Sequence, residues 1–265
     1  MLATADDTIY LFGDSITQHG FDPLSHGWVS LLSHAYMRRM TVINAGLSGY
    51  SSDQALNILP RMLPDPSQAR IRLFVVFFGA NDARLPGSGA RDSPDQHVPK
   101  DRYKANLRAI CTHESIKAHE KVKILLVTPP PVDENLLVRK NREARVTSEY
   151  AAQVRVLAQE LANEGLDVRC LDIWTAFMSR CGWAAGDALL GAKDTPASEP
   201  GTGLPTLLCD GLHLTAGGNK LLFQCLLVLI RDHWPQLHPD ALEFALPTWL
   251  DQRAWKEVFA RREAE

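Results

Sequence analysis

The chain is predicted to adopt an α/β fold: a single domain in three layers, α/β/α, with a mostly parallel five-stranded sheet at its centre. Three observations carry that prediction. Short β-rich runs alternate with longer runs of helical spacing, which implies βαβ crossovers and therefore a parallel sheet. The run Leu73 to Phe78 (LFVVFF) is apolar without interruption, as a strand covered on both faces should be. No linker-like stretch divides the alternation, so the 265 residues read as one unit rather than two.

In chain order, Thr8 to Phe12 (TIYLF) is a compact apolar run ending at Gly13, which suits a buried first strand. Trp28 to Met37 spaces Trp28, Leu31, Leu32, Ala35 and Tyr36 at helical intervals. Met40 to Ile43 is a second strand running into a small-residue loop, Asn44 to Ser52, after which Asp53 is the expected N-cap of a short helix stopped or kinked by Pro60 and Pro64. Leu73 to Phe78 is the third strand, followed by a polar loop, Ala83 to Pro99, and a helix over Lys100 to Ala118. Val122 to Val127 is a fourth strand, closed by Pro129, Pro130 and Pro131; a long helix over Asn141 to Asn163 ends before Gly165, and Asp167 to Leu171 is the fifth strand. A helical stretch, a Gly/Pro/Ser-rich loop from Gly186 to Pro205, and a helix from an N-cap at Thr215 through Ile230 complete the core. The expected division is residues 1–237 as the domain proper and 238–265 as a C-terminal helical extension, helix-like over Thr248 to Glu265, packed on the same domain.

Composition narrows the function classes. Lys plus Arg number 28 against 31 Asp plus Glu, a formal charge of −3, which offers no concentrated basic surface for nucleic acid or membrane headgroups. The longest apolar run, Leu221 to Ile230, is interrupted by Gln224 and falls short of the roughly 18–20 residues a membrane span needs. The first seven residues lack the basic and apolar regions of a secretory signal. The 5 cysteines (Cys111, Cys170, Cys181, Cys209, Cys225) are scattered and form no CxxC, so neither a zinc site nor a disulfide framework is indicated; free thiols in a reducing, cytoplasmic compartment are expected. His19 and His26 show no metal-ligand spacing with a nearby carboxylate, and no phosphate-binding glycine loop occurs. Neither a metal nor a cofactor is called for.

Ligands of open α/β sheets sit outside the carboxyl ends of the strands. Four polar stretches collect there: Gly13-Asp14-Ser15, Asn44 through Gly49, Gly79-Ala80-Asn81-Asp82, and Asp210-Gly211-Leu212-His213. Each alone reads as a turn or a helix cap. Jointly they supply a nucleophile, a base, a carboxylate to orient it, and amide donors. Asp14 and Asp82 are read as turn-stabilising carboxylates, His97 as a loop residue near the pocket entrance, and Trp28 as core. Cys209 has no basic neighbour in sequence to lower its pKa, so a catalytic thiol is not expected.

The blocks FGDSIT (Phe12 to Thr17), NAGLSGYSS (Asn44 to Ser52), FFGANDA (Phe77 to Ala83) and DGLHLTAGGN (Asp210 to Asn219) resemble, in order and spacing, the four signature blocks of the SGNH, or GDSL-type, hydrolases. Within that family QHVPKDRY (Gln96 to Tyr103) and the TPPP of Thr128 to Pro131 are similar to segments of the isoamyl acetate-hydrolysing esterase group; the resemblance spans residues 8–232. It implies a flavodoxin-like sheet and a cofactor-free serine esterase acting on a small-molecule ester. Ser15 would be the nucleophile, His213 the general base and then acid, and Asp210 the carboxylate that orients the imidazole. The backbone N–H groups of Ser15 and Gly49 and the side-chain amide of Asn81 would form the oxyanion hole, Gly49 because no side chain blocks approach to its N–H.

The subgroup implies esters of short acids, acetates above all, and with them a place in lipid metabolism. A lysophospholipid, a thioester or an acetylated carbohydrate could use the same centre, and a non-catalytic binding protein on the same sheet is the remaining alternative. The pocket walls that would decide come in part from the loops Ala83 to Pro99 and Gly186 to Pro205.

Overall fold

β3 (Ala69–Phe77) organises the sheet, because its alternating side chains feed both cores. Leu73, Val75 and Phe77 point into one hydrophobic layer, Phe74, Val76 and the following Phe78 into the other, and β1 (Asp6–Gly13) divides Ile9 and Leu11 from Tyr10 and Phe12 in the same way. This two-residue period explains why the run is apolar throughout: each face of the sheet is covered by helices. The computed structural model describes residues 6–89, 95–199 and 201–263.

The remaining strands are β2 (Thr41–Gly46), β4 (Lys123–Val127) and β5 (Val168–Leu171). All neighbouring pairs are parallel, in the order β2-β1-β3-β4-β5. The order reverses between β1 and β3, the place where an open α/β sheet offers a crevice to ligands.

One layer of helices consists of α2 (Trp28–Ala35), α7 (Ile173–Arg180) and α8 (Ala216–His233), which bury Trp28, Leu32, Phe177, Leu226 and Ile230 on one face. The other consists of α3 (Ser52–Met62), α4 (Lys100–Cys111) and α6 (Ala144–Asn163), burying Leu59, Tyr103, Leu107, Tyr150 and Leu161. Each fully buried large side chain contributes about 1.5–3 kcal/mol of transfer free energy. No helix among the described residues is long and apolar enough to cross a membrane.

Several boundaries differ from the sequence expectations, each for a local reason. The cap of α3 is Ser51, not Asp53: Gln54 Oε1 accepts from both the N–H and the hydroxyl of Ser51, at 2.7 Å each, and Asp53 lies inside the first turn. Pro60 sits inside α3 near its end rather than terminating it. The helix expected over Lys100 to Ala118 is broken: Thr112 bonds back to Arg108 O, and His113, in extended conformation, caps a separate α5 (Glu114–Lys117) by accepting from Ser115 N. The long helix begins at Ala144 rather than Asn141, and a four-residue α1 (Ser15–Gln18) lies where no helix was expected.

The described part of the 186–205 loop holds only a single 3₁₀ turn, Leu204–Thr206. Beyond α8, two 3₁₀ turns lead to a segment tied to the end of α2: Tyr36 donates to Leu237 O (2.8 Å), Ala245 N donates to Arg38 O (2.7 Å), and Arg38 covers the Phe244 ring at 4.4 Å. The final element is α9 (Gln252–Glu263); residues 264–265 of the expected terminal helix, and 90–94 of the loop after β3, lie outside the described residues.

Candidate active site

Ser15 stands at the topological switch point because the chain turns sharply out of β1 into α1. Asp14 caps that helix, its Oδ1 accepting from Ile16 N at 3.0 Å. Gly13 makes the turn possible: a Cβ there would lie 2.1 Å from Thr17 Oγ1 and 2.7 Å from Phe77 O. As the first residue of a helix, Ser15 has a backbone N–H with no intrahelical acceptor, and its side chain is almost fully buried.

The loop before α8 brings the other two residues to it. Ser15 Oγ lies 3.0 Å from His213 Nε2, and His213 Nδ1 lies 2.7 Å from Asp210 Oδ2. A carboxylate can only accept, so the proton sits on Nδ1, and Nε2 is left to accept from the serine hydroxyl. Asp210 is itself held in place, its Oδ1 accepting from Leu212 N (3.0 Å) and His213 N (2.8 Å). Burial raises the Asp210 carboxyl pKa, but the hydrogen bonds from the His213 side chain and backbone outweigh it, and the group stays below its ordinary range. The loop is anchored from outside by Asp133 N donating to Gly211 O at 2.9 Å.

Gly49 and Asn81 face the same rim from β2 and β3. Gly49 has φ +82°, in the left-handed region, and this demands glycine more than space does, since a Cβ would meet only Gln96 Nε2 at 3.3 Å. Its carbonyl accepts from Gln96 Nε2 at 2.6 Å and Tyr50 N donates to Leu47 O at 3.1 Å, which fixes the peptide that follows Gly49. Asn81 Nδ2 donates one hydrogen to Tyr50 O at 2.9 Å, leaving a second for a ligand.

Arg142 has no counterpart among the residues expected from sequence. The residue is 8% exposed, and its guanidinium donates from Nη2 to Asn81 Oδ1 (3.1 Å), from Nε to Ala80 O (2.8 Å) and from Nη1 to Asn141 Oδ1 (3.1 Å). Because a cation occupies Asn81 Oδ1, the amide is locked with its nitrogen toward the site. Burial and the nearby Arg84 push the Arg142 pKa down to about 10, leaving it charged at neutral pH. Asn-Arg ahead of a helix carries no local signal of this role.

Asp14 and Asp82 sit behind the site. Asp82 Oδ1 accepts from Ser52 N at 2.9 Å, while Asp14 Oδ2 and Asp82 Oδ2 are buried without a partner among the described residues. Burial pushes each carboxyl up to about 7, and the Asp82 charge adds to the effect on Asp14. A pKa raised on folding means the native state holds the extra proton. The associated stability is full below the ordinary value of 3.8 and is lost as pH rises through about 7. Thermal melts of Asp82→Asn, which retains an acceptor for Ser52 N, should therefore show a gain over the parent that grows from pH 5 to pH 8. The gain should approach about 4 kcal/mol at most; a difference independent of pH would refute the buried protonated acid.

The remaining expected residues fall as follows. His97 Nδ1 donates to Arg84 O at 2.7 Å, tying the loop after β3. The His19 ring lies 5.7 Å from that of His213, and both line a cavity of about 310 Å³ with Ile16, Asp22, Cys209 and Leu214. Burial and the adjacent Asp210 carboxylate raise the Cys209 thiol pKa, so the thiolate is disfavoured there. His26 is an exposed turn residue at φ 50°, and Trp28 is core, its Nε1 donating to Ile16 O at 3.1 Å. All five cysteines are free.

Comparison with known proteins adds a family. The sequence model described as GDSL-like Lipase/Acylhydrolase matches residues 9–226. A GDSL esterase/lipase of Arabidopsis thaliana is 33% identical over 252 residues, covering 90% of this chain and 90% of the relative. The isoamyl acetate-hydrolyzing esterase 1 homolog of Mus musculus is 34% identical over 252 residues, covering 92% and 87%. Among solved structures, a lipase/acylhydrolase from Enterococcus faecalis superposes with TM-score 0.57 at 24% identity, over 91% of this chain and 100% of that one. An acetylxylan esterase from Geobacillus stearothermophilus superposes with TM-score 0.56 at 18% identity, over 87% and 96%. These two likenesses concern the fold.

Proposed function

Starting from the fact that this chain belongs to the GDSL-like lipase/acylhydrolase family and is a carboxylic ester hydrolase, we propose that it is a serine esterase for short-chain, acetate-type esters, working through Ser15, His213 and Asp210. The observation that carries this reading is the unbroken chain of hydrogen bonds, 3.0 Å from Ser15 to His213 and 2.7 Å from His213 to Asp210, at the sheet's switch point.

His213 Nε2 takes the hydroxyl proton as Ser15 Oγ attacks the carbonyl carbon, and Asp210 stabilises the imidazolium that forms. Negative charge collects on the former carbonyl oxygen, where the Ser15 and Gly49 N–H groups and the free hydrogen of Asn81 Nδ2 receive it. His213 then returns the proton to the departing alkoxide, leaving Ser15 acylated. Water, activated by the same imidazole, releases the acid and restores the serine.

The proton leaves from Nε2, so the alcohol portion belongs on the His213 side, where the cavity of about 310 Å³ lies. Ile16 and Leu214 offer it carbon surface. Several of the polar groups around it are already bonded to the scaffold: Asn219 to Trp28, Ser25 and Thr215, and Thr215 to Thr206 and Gly218. A compact alcohol of modest polarity fits that wall, and the names of the mammalian relatives point the same way. The free, scattered thiols accord with a cytoplasmic setting.

A panel of p-nitrophenyl esters of rising acyl length, with acyl-CoAs and acetylated sugars alongside, tests the substrate class. The highest kcat/KM is expected for acetate or butyrate, and faster turnover of acyl-CoA or acetylated sugar would overturn the assignment.

Arg142 acts in this scheme as a positioning residue, through Asn81. Arg142→Met should lower kcat by on the order of 10²–10³, the usual effect of losing one oxyanion donor, with KM little changed. Combined with Asn81→Ala it should cost little beyond Asn81→Ala alone, because both remove the same interaction. Additive losses in that double-mutant cycle would assign Arg142 a purely structural role.

A further inference from the structure

A cavity of about 230 Å³ lies between the loops that follow β3 and β4, lined by Arg84, Ser88, Gly89, Arg139, Lys140 and Asn141. Among the described residues half of its wall is cationic and none of it is acidic. Arg84 is 6% exposed, and the buried Arg142 lies behind Asn141, close enough to Arg84 for the two guanidiniums to repel. Among the described residues none of these four cations pairs with a carboxylate. Two carboxylates of the flanking loops are engaged elsewhere. Asp95 accepts from Gly87 N (2.8 Å) and His97 N (3.1 Å), and Glu134 Oε1 accepts from Ala144 N (3.0 Å).

Like charges gathered around a partly desolvated cavity raise the free energy of the empty protein, and an anion between them lowers it. Donors remain for such a ligand. Among the described residues, three of the five guanidinium N–H groups of Arg84 find acceptors, Ser88 Oγ (3.1 Å), Ser88 O (2.6 Å) and Gln96 Oε1 (2.7 Å), leaving two. Arg139 and Lys140 are exposed at the cavity, and among the described residues the Lys140 ammonium donates to Glu134 O alone.

We propose that this cavity is a binding site for an anionic group, a carboxylate or a phosphate. Its position ties it to the reaction centre. Gln96, which accepts from Arg84, donates to Gly49 O at 2.6 Å; Arg84 N donates to Asn81 O at 3.0 Å; and Leu85 N donates to Asn141 O at 2.9 Å. An anion held here would connect to Asn81 through the Arg84 backbone and to Gly49 through the Gln96 side chain. The site rests on its own charges and stands whether or not the esterase reading does.

Calorimetric titration of the full chain with inorganic phosphate and with succinate at low ionic strength tests the proposal without reference to catalysis. At least one of these anions should bind. Arg139→Gln/Lys140→Gln should weaken that binding at least tenfold while leaving the melting temperature and the turnover of p-nitrophenyl acetate unchanged. Either single substitution should give an intermediate loss.

A second arm compares p-nitrophenyl acetate with p-nitrophenyl hemisuccinate. A preference for the charged ester that disappears in the double variant places the anionic group on the substrate. Equal handling of the two esters, alongside variant-sensitive binding of the free anion, identifies a separate ligand of the same site. No binding of either anion by the parent protein, or binding undiminished in the double variant, overturns the proposal.

Discussion

Ser15→Ala should leave a folded protein whose kcat for a short-chain ester is lower by about 10⁶, the scale seen when a triad serine is removed. The loss is large because, in the proposed mechanism, the hydroxyl forms the bond to carbon. Cys209 lines the same cavity as His213, but its raised thiol pKa disfavours the thiolate. Ser15 is almost fully buried, but the change removes a single oxygen whose partner among the described residues is His213. Circular dichroism and the melting temperature should therefore match the parent, separating lost chemistry from lost fold. Removing His213 as well should cost little more, because nucleophile and base act as a unit. Substantial residual turnover in Ser15→Ala would move the nucleophile elsewhere.

Asp210→Asn carries the second largest effect, about 10⁴ in kcat by the precedent of other triads. The substitution keeps size and the acceptor for Leu212 N and His213 N, bonds of 3.0 and 2.8 Å, so the loop geometry survives. What changes is the partner of His213 Nδ1. An asparagine can present an N–H where the carboxylate presented an oxygen. The imidazole then turns its proton to Nε2, which can no longer accept from Ser15. The loss also removes the negative charge that stabilises the imidazolium. KM should move far less than kcat, and a kcat within tenfold of the parent would show that Asp210 does not set the tautomer.

The sheet was legible because its central strand is apolar on both faces and its neighbours end in Gly or Pro, signals that need no tertiary context. The stretches that carry Ser15, Gly49, Asn81, Asp210 and His213 stood out for a related reason, since they follow a strand end or precede a helix, where polar residues have no packing role to hide behind; the roles proposed for them come from the family resemblance. The cap of α3 was misread although a signal was present, since Ser51 has Gln54 three residues later and Asp53 offers no such reciprocal partner. The four-residue α1 was too short to show a period.

Arg84, Gln96 and Arg142 belong to a different category. Gln96 reaches Gly49 across 47 positions and Arg142 reaches Asn81 across 61, and neither partner is visible from the local sequence. Their importance arises only once the loops after β3 and β4 close on one another. Local sequence supplies the candidate reacting groups, and long-range packing supplies the groups that hold them.

The most direct test is covalent labelling of the parent protein with a serine-directed alkyl phosphonate, followed by peptide mass spectrometry. The phosphonate mimics the tetrahedral intermediate, so it reports nucleophile, base and oxyanion donors in one step without requiring the natural ester. A single adduct is expected on Ser15, absent from Ser15→Ala and formed far more slowly in His213→Ala. No adduct, or one carried on another residue, would contradict the assignment of Ser15 as the nucleophile.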